Sequence, residues 1–284
     1  MCVSVLIPFY NTKISHFKEC LDSIKNQTFN NLIEIIIVND GSDIENTNQV
    51  TKYIKKLNTS INSKNSFRRE FKIFNLDKNY GLPYALNKGL ELCNFNLIAR
   101  MDSDDIMKLD RIQKQYDFMI QNKNCVVLGG QCEILNDVSK KITFVTKHKC
   151  VINIEDLKKI ISNTCWFINH PTVMYKKDVI NKCGNYNTNL VGHAEDAYLW
   201  INVLKNGYIL HNLKDLVLTY RDCSSSLSNN FKTNVAEDIK KWVIDLHCNK
   251  YPQFYYICNQ PNCNLKFERK CDLKRHKKKV HKLN

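Results

Sequence analysis

The chain reads as an α/β protein, a parallel sheet with helices on both faces, followed by a small ββα module. Three observations predict this. Short β-branched apolar runs alternate with helical patterns through residues 3–101. Each run stops at a polar or proline-containing turn, as buried parallel strands do. The last tenth of the chain then changes abruptly to a basic composition rich in Cys and His.

The elements follow in order. Residues 3–8 (Val-Ser-Val-Leu-Ile-Pro) form a compact strand closed by proline. Ser15 is placed to cap a helix with Phe17, Leu21 and Ile24 on one face. Residues 32–38 make a second strand ending at Asn39-Asp40-Gly41-Ser42, and Val50, Ile54 and Leu57 mark a second helix. Residues 58–70 read as an exposed polar loop. A strand over 71–76, a helix over 82–93 and a strand over 97–101 complete a β-α-β-α-β-α-β series. Beyond it the spacing predicts helices over 111–121, 195–205 and 235–247, with strands within 126–148, 171–175 and 216–220.

Bulk properties narrow the class. The chain has 284 residues, 43% of them hydrophobic, enough for one large domain and an appendage. The formal net charge is +14. Residues 258–284 hold nine Lys/Arg against two acids, 9 − 2 = +7, so half the charge sits in the tail. Such a cluster favours polyanions, or is a solvated charged face. The thirteen cysteines are scattered and odd in number, and the first residues lack the basic start of a secretory signal. Reduced thiols in a cytoplasmic protein, at most peripheral to a membrane, are expected. No apolar run approaches the ~20 residues of a bilayer span.

The chemistry concentrates at Ala99-Arg100-Met101-Asp102-Ser103-Asp104-Asp105. Three acids directly after an apolar strand repel one another unless a cation lies between them. Oxygen ligands of this kind suit Mg²⁺ or Mn²⁺ shared with substrate phosphates. In a parallel sheet ligands bind at the carboxyl ends of the strands, so the loops after Pro8, Val38 and Met101 should converge.

Five motifs occur in order: residues 3–11 (Val-Ser-Val-Leu-Ile-Pro-Phe-Tyr-Asn), Val38-Asn39-Asp40-Gly41-Ser42, Asn79-Tyr80-Gly81-Leu82, Asp102-Ser103-Asp104-Asp105 and Glu195-Asp196. Together they resemble the family 2 glycosyltransferases over about residues 1–228. The resemblance implies the GT-A fold, a Rossmann-like nucleotide-diphospho-sugar transferase architecture, and transfer of sugar with inversion. It divides residues 1–230 into a nucleotide-sugar half (1–125) and an acceptor half (126–230), with a helical linker over 231–255.

Roles carried over by the resemblance are these. Asp40 accepts a hydrogen bond from the uracil N–H, a charge-assisted contact, while Asn39 stands where the family often has another acid. Pro8 and Tyr10 line the base and ribose pocket. Asn79 bonds the donor or, as the simpler reading, caps the following helix. Arg100 contacts phosphate or makes a structural salt bridge. Asp104 holds Mn²⁺ or Mg²⁺, and Asp102 contacts the ribose or the ion's water shell. Asp105 orients the loop. Asp196 is the general base, with Glu195 beside it at the start of a helix. Weaker expectations place His170 and Arg221 near acceptor or phosphate.

The tail carries a second constellation, independent of that family. Cys258-x4-Cys263-x12-His276-x4-His281 has the spacing of a two-Cys, two-His zinc finger over 256–284, supported by Tyr256, Phe267 and Leu273. The N₂S₂ ligand set suits structural Zn²⁺. Counting along such a finger puts Arg269, Asp272 and Arg275 where bases are read, so nucleic acid or protein is the expected partner. The sequence thus predicts a metal-dependent inverting glycosyltransferase using a nucleotide sugar, UDP-linked, and a hydroxyl acceptor of unknown identity. The alternative is an inactive transferase scaffold whose finger binds nucleic acid.

Overall fold

In this computed structural model, residues 2–62, 69–153, 156, 167–192, 194–223, 256–257 and 266–267 are described. Contacts divide the chain into two units, Met1–Lys240 and Lys241–Asn284.

The first unit opens with strand β1 (Cys2–Phe9), helix α1 (Ile14–Lys25), β2 (Leu32–Asn39), α2 (Ile44–Asn62), β3 (Arg69–Asn75), α3 (Leu82–Leu92) and β4 (Leu97–Arg100). β1 pairs in parallel with β2 and β4, and β2 with β3. Val5, Ile7, Ile33, Ile35 and Ile37 are completely buried, as an apolar strand covered on both faces requires. Phe17, Leu21 and Ile24 of α1 pack into the same core with Val50, Ile54 and Leu57 of α2.

Three local expectations change. No side chain caps α1, and Ser15 lies inside its first turn. The polar stretch after Leu57 continues α2 to Asn62, and β3 begins at Arg69, so the expected loop shrinks from both ends. The strand expected over 171–175 is a 3₁₀ turn, His170–Thr172, followed by a shorter strand, Met174–Lys176. Pro171 removes a backbone donor and favours such a turn over a ladder.

The parallel sheet is the larger correction. β5 (Ile106–Met107), α4 (Arg111–Gln121), β6 (Val127–Asn136), β7 (Ile142–Val145), β8 (Val151–Ile152), β9 (Met174–Lys176) and β10 (Leu210–Asp222) extend it into a mixed sheet of order β3-β2-β1-β4-β9-β6-β10-β5. β9 enters antiparallel between β4 and β6, while β10 is parallel to β6. Two reversals in succession leave β6 and β10 running the same way as β4. Their carboxyl ends therefore reach the same edge as Arg100. β7 folds back on β6 as an edge hairpin, and residues 138–145 are all exposed.

Buried polar groups hold this layout. Glu34, inside β2, accepts from Ser4 Oγ at 2.8 Å, from the Asn94 amide N–H at 2.9 Å and from Lys72 Nζ at 3.2 Å. Burial works against its charge, but these donors outweigh it and keep the carboxyl below its ordinary range. Arg111 opens α4 fully buried. Its guanidinium donates to the carbonyls of Pro171 (2.9 Å) and Arg100 (2.9 Å) and to Gln115 Oε1 (3.0 Å). It thus pins the end of β4 to the 3₁₀ turn across the antiparallel joint.

In the second unit the described residues form one antiparallel pair, β11 (Tyr256–Ile257) with β12 (Lys266–Phe267). The expected linker helix, the zinc ligands Cys258, Cys263, His276 and His281, and Arg269, Asp272 and Arg275 lie outside the described residues. No helix among the described residues is long and apolar enough to cross a membrane.

Candidate active site

The carboxyl ends of β1, β2 and β4 converge, and they bring the sequence-predicted residues to one edge. Pro8 is buried near the end of β1, and Tyr10, just beyond it, is exposed. Asp40 follows β2. Its Oδ1 accepts the Tyr80 N–H at 2.9 Å and its Oδ2 the Gly81 N–H at 2.9 Å. The carboxylate therefore fastens the 79–81 loop to the sheet while each oxygen keeps a lone pair. Asn39 builds the turn beside it: its Oδ1 accepts from Ser42 N (2.9 Å) and its amide donates to Thr47 and Asn75. Gly41 has φ +69°, and a Cβ there would stand 2.2 Å from the backbone carbon of Lys78. Only glycine lets these two loops meet.

Asn79 is exposed and does not cap α3. Gly81 is the N-cap and has no side chain of its own to cap with. The Asp40 carboxylate, from the loop after β2, accepts its N–H and takes that place.

The acidic loop is held from several sides. Arg100 is fully buried and its Nη2 meets Asp102 Oδ1 at 2.6 Å, the salt-bridge alternative of the sequence reading. Its Nε and Nη1 are buried and have no hydrogen-bond partner among the described residues. Two such donors lose several kcal/mol of hydration between them, on the order of 1–3 each, unless a ligand accepts from them. Asp105 Oδ1 accepts the Arg221 N–H at 2.9 Å, so Asp105 orients the loop, while its Oδ2 is buried without a partner. Arg221, expected near phosphate, spends its guanidinium elsewhere. Nε donates to the Asp104 carbonyl at 2.8 Å, Nη1 to Asp137 at 3.0 Å, and Nη2 pairs with Glu19. It positions the acidic loop from behind.

The charge state of the loop fits a cation. Burial first, and the Asp102 charge second, push the Asp104 carboxyl up to about 6. Burial and both neighbouring acids push Asp105 up as well. Crowded, partly orphaned carboxylates are what a hard divalent ion with oxygen ligands would relieve. Asp104 and Asp102 are the residues that would hold it.

Across the cleft the helix Glu195–Lys205 begins with both acids in its first turn, after Ala194 in the left-handed region at φ 55°. Glu195 and Asp196 are buried, and burial raises both carboxyls, Glu195 further through its neighbour. Ligand atoms of His170, Glu195 and Asp196 lie within 4.8 Å of one another. His170 is buried, and burial, then the Arg100 charge, push it well below its ordinary value, so the ring is neutral. Its Nε2 is 2.8 Å from the Tyr186 hydroxyl. That bond fixes the ring beside the acid pair, and nothing in the local sequence around Tyr186 signals it. A second such grouping, His16, Asp137 and Cys223, lies behind the acidic loop, where Arg221 and Lys140 already neutralise Asp137.

Comparison with known proteins identifies the fold and the family. The amylovoran biosynthesis glycosyltransferase AmsE of Erwinia amylovora is 33% identical over 219 residues, 77% of this chain and 75% of that protein. S. aureus TarS 1–349, solved in complex with UDP-GlcNAc, superposes with a TM-score of 0.65 at 19% identity, covering 88% of this chain and 67% of that one. A mannosyltransferase from Pyrobaculum calidifontis, solved with GDP-Man and Mn²⁺, gives a TM-score of 0.59 at 14% identity, covering 87% and 72%. These superpositions place the fold as GT-A-like, with a mixed sheet. The model of the family described as glycosyl transferase family 2 matches residues 4–184, and this chain belongs to that family.

Proposed function

We propose that the chain is an inverting, divalent-metal-dependent glycosyltransferase that moves a sugar from a UDP-linked donor to a hydroxyl acceptor. The observation that carries the reading is the buried pair Glu195–Asp196 facing the Arg100–Asp102 edge from the start of its own helix. Asp196 is the base. It takes the acceptor hydroxyl proton as that oxygen bonds to the anomeric carbon, and the opposite bond to diphosphate breaks with its electron pair leaving on UDP. Arg100 offers its two unpartnered donors to the donor substrate. Asp40 supports uracil recognition through its remaining lone pairs, an imide N–H being a donor that a carboxylate suits. When bound at Asp104, a divalent cation supplies positive charge beside the diphosphate as it departs. The solved relatives carry UDP-GlcNAc in one case and GDP-Man with Mn²⁺ in the other, so the fold alone leaves the base open and Asp40 favours uracil.

The test is UDP release from a panel of UDP-sugars with Mn²⁺, hydrolysis serving as readout without acceptor. Mn²⁺-dependent release from one donor is expected. No release and no metal-dependent nucleotide binding would favour the inactive scaffold instead.

For the second unit we propose a structural zinc module held by Cys258, Cys263, His276 and His281, which serves targeting or partner binding. The antiparallel pair Tyr256–Ile257 with Lys266–Phe267 supports it, because the residues that join the two strands include both cysteines. Zinc would supply folding energy that so small a unit lacks. Metal analysis of the purified chain is expected to find one zinc per chain, lost in Cys258→Ser/Cys263→Ser. A zinc content unchanged by that pair would sink the module.

A further inference from the structure

The hairpin after β6 gathers four exposed large apolar side chains within residues 138–145. Val138 is 91% exposed, Phe144 61%, Ile142 45% and Val145 39%. Soluble surfaces seldom gather so much apolar area on one short projection without using it. Residues 138–154 contain Lys140, Lys141, Lys147 and Lys149 and no acid. Lys140 pairs with Asp137 at 2.6 Å and Lys149 with Asp156 at 2.5 Å. Lys141 and Lys147 are exposed and form no ion pair among the described residues. Lys141 and Lys147 flank β7 rather than lie on it, and charges so placed help guard an edge strand against pairing with other strands. That explains the lysines but not Phe144 or Val138, which a guarded edge would omit.

Position adds a second argument. β6 runs the same way as β4, so the hairpin leaves the sheet at the edge where the acidic loop stands. Its first residue, Asp137, bonds Arg221, which in turn holds Asp104 and Asp105. We propose that the β6–β7 hairpin, with the basic segment to Lys149, docks on a membrane surface bearing anionic headgroups. Phe144, Ile142 and Val138 enter the headgroup boundary and Lys141 and Lys147 meet the lipid phosphates. The carboxyl edge of the sheet then faces the bilayer, and an acceptor carried at that surface reaches the cleft without leaving it.

The test is co-sedimentation of the full chain with vesicles of phosphatidylcholine alone or mixed in equal parts with phosphatidylglycerol. Binding to the mixed vesicles, weakened by salt, is expected. Lys141→Gln/Lys147→Gln should weaken it about 30-fold, and Phe144→Ser about tenfold. All three residues lie outside the cleft, so melting temperature and UDP release should stay unchanged. Three results would overturn the proposal. Variants that sediment like the parent would assign binding elsewhere, the basic tail first. Phe144→Ser without effect, while the lysine pair loses heparin and vesicles alike, would mean a general polyanion site. A dimer abolished by Phe144→Ser, with no vesicle binding, would mean edge pairing between two copies.

Discussion

Replacing Asp196 with asparagine is expected to lower turnover by roughly 10²–10⁴-fold while leaving donor binding within a few-fold of the parent. An amide has nearly the shape of the acid and cannot take the acceptor proton. The loss should therefore fall on kcat, with the KM for donor little changed. The parent's pH profile should show the same group. Burial pushes the Asp196 carboxyl up to about 6, and a base works only when deprotonated. Activity should thus rise with pH through about 6 and level off above it. A profile flat from pH 5 to 8, or an Asp196→Asn enzyme at full rate, would remove Asp196 from the role of base.

Asp104→Asn should produce two opposite effects. Turnover with Mn²⁺ should fall by about 10³-fold, several kcal/mol of transition-state stabilisation being what a metal at departing charge supplies. The metal-free chain, however, should become more stable. Asp104 is half-buried beside Asp102, and its raised carboxyl means that the folded protein holds a proton more tightly than the unfolded chain does. Such a group costs stability as pH rises above its unfolded value, and the cost is full above about 6. Removing the charge removes that cost, so the melting temperature without metal should rise at pH 7.5 and change little at pH 4. Mn²⁺ should stabilise the parent and not the variant. Thermal melts with and without Mn²⁺ at both pH values check this. A variant less stable than the parent without metal would show that Asp104 is a structural acid.

The first hundred residues are legible in the sequence because strands buried on both faces are written as mostly apolar runs. The run Leu-Ile-Glu-Ile-Ile-Ile-Val at residues 32–38 is nearly the whole of β2, and α4 and the helix Glu195–Lys205 are found residue for residue. The later sheet is not legible in the same way. β10 contains His211, Asn212, Lys214 and Asp215, and its pairing with β6 shifts register after Asn212 and again after Leu216, which breaks any period of two. β5 and β9 are two and three residues long, too short to carry a pattern. The antiparallel insertion of β9 is a tertiary pairing, and no local signal announces it. At the cleft the acids are visible as motifs. What holds them is not: Arg111, Tyr186 and the Glu19–Arg221–Asp137 cluster act through contacts between residues far apart in the chain.

The bond from the Arg221 N–H to Asp105 joins positions 116 residues apart, and the Arg221 side chain reaches still further back to Glu19. The two halves of the transferase unit are therefore poor units of recombination. A chimera that took residues 126–223 from a relative with a different acceptor would replace Arg221 and Asp137 but keep Glu19, Asp104 and Asp105. Such an exchange succeeds only when the donor parent supplies an arginine and an acid in matching register. Acceptor preference in this chain is thereby better altered by point substitutions lining the cleft than by swapping its second half.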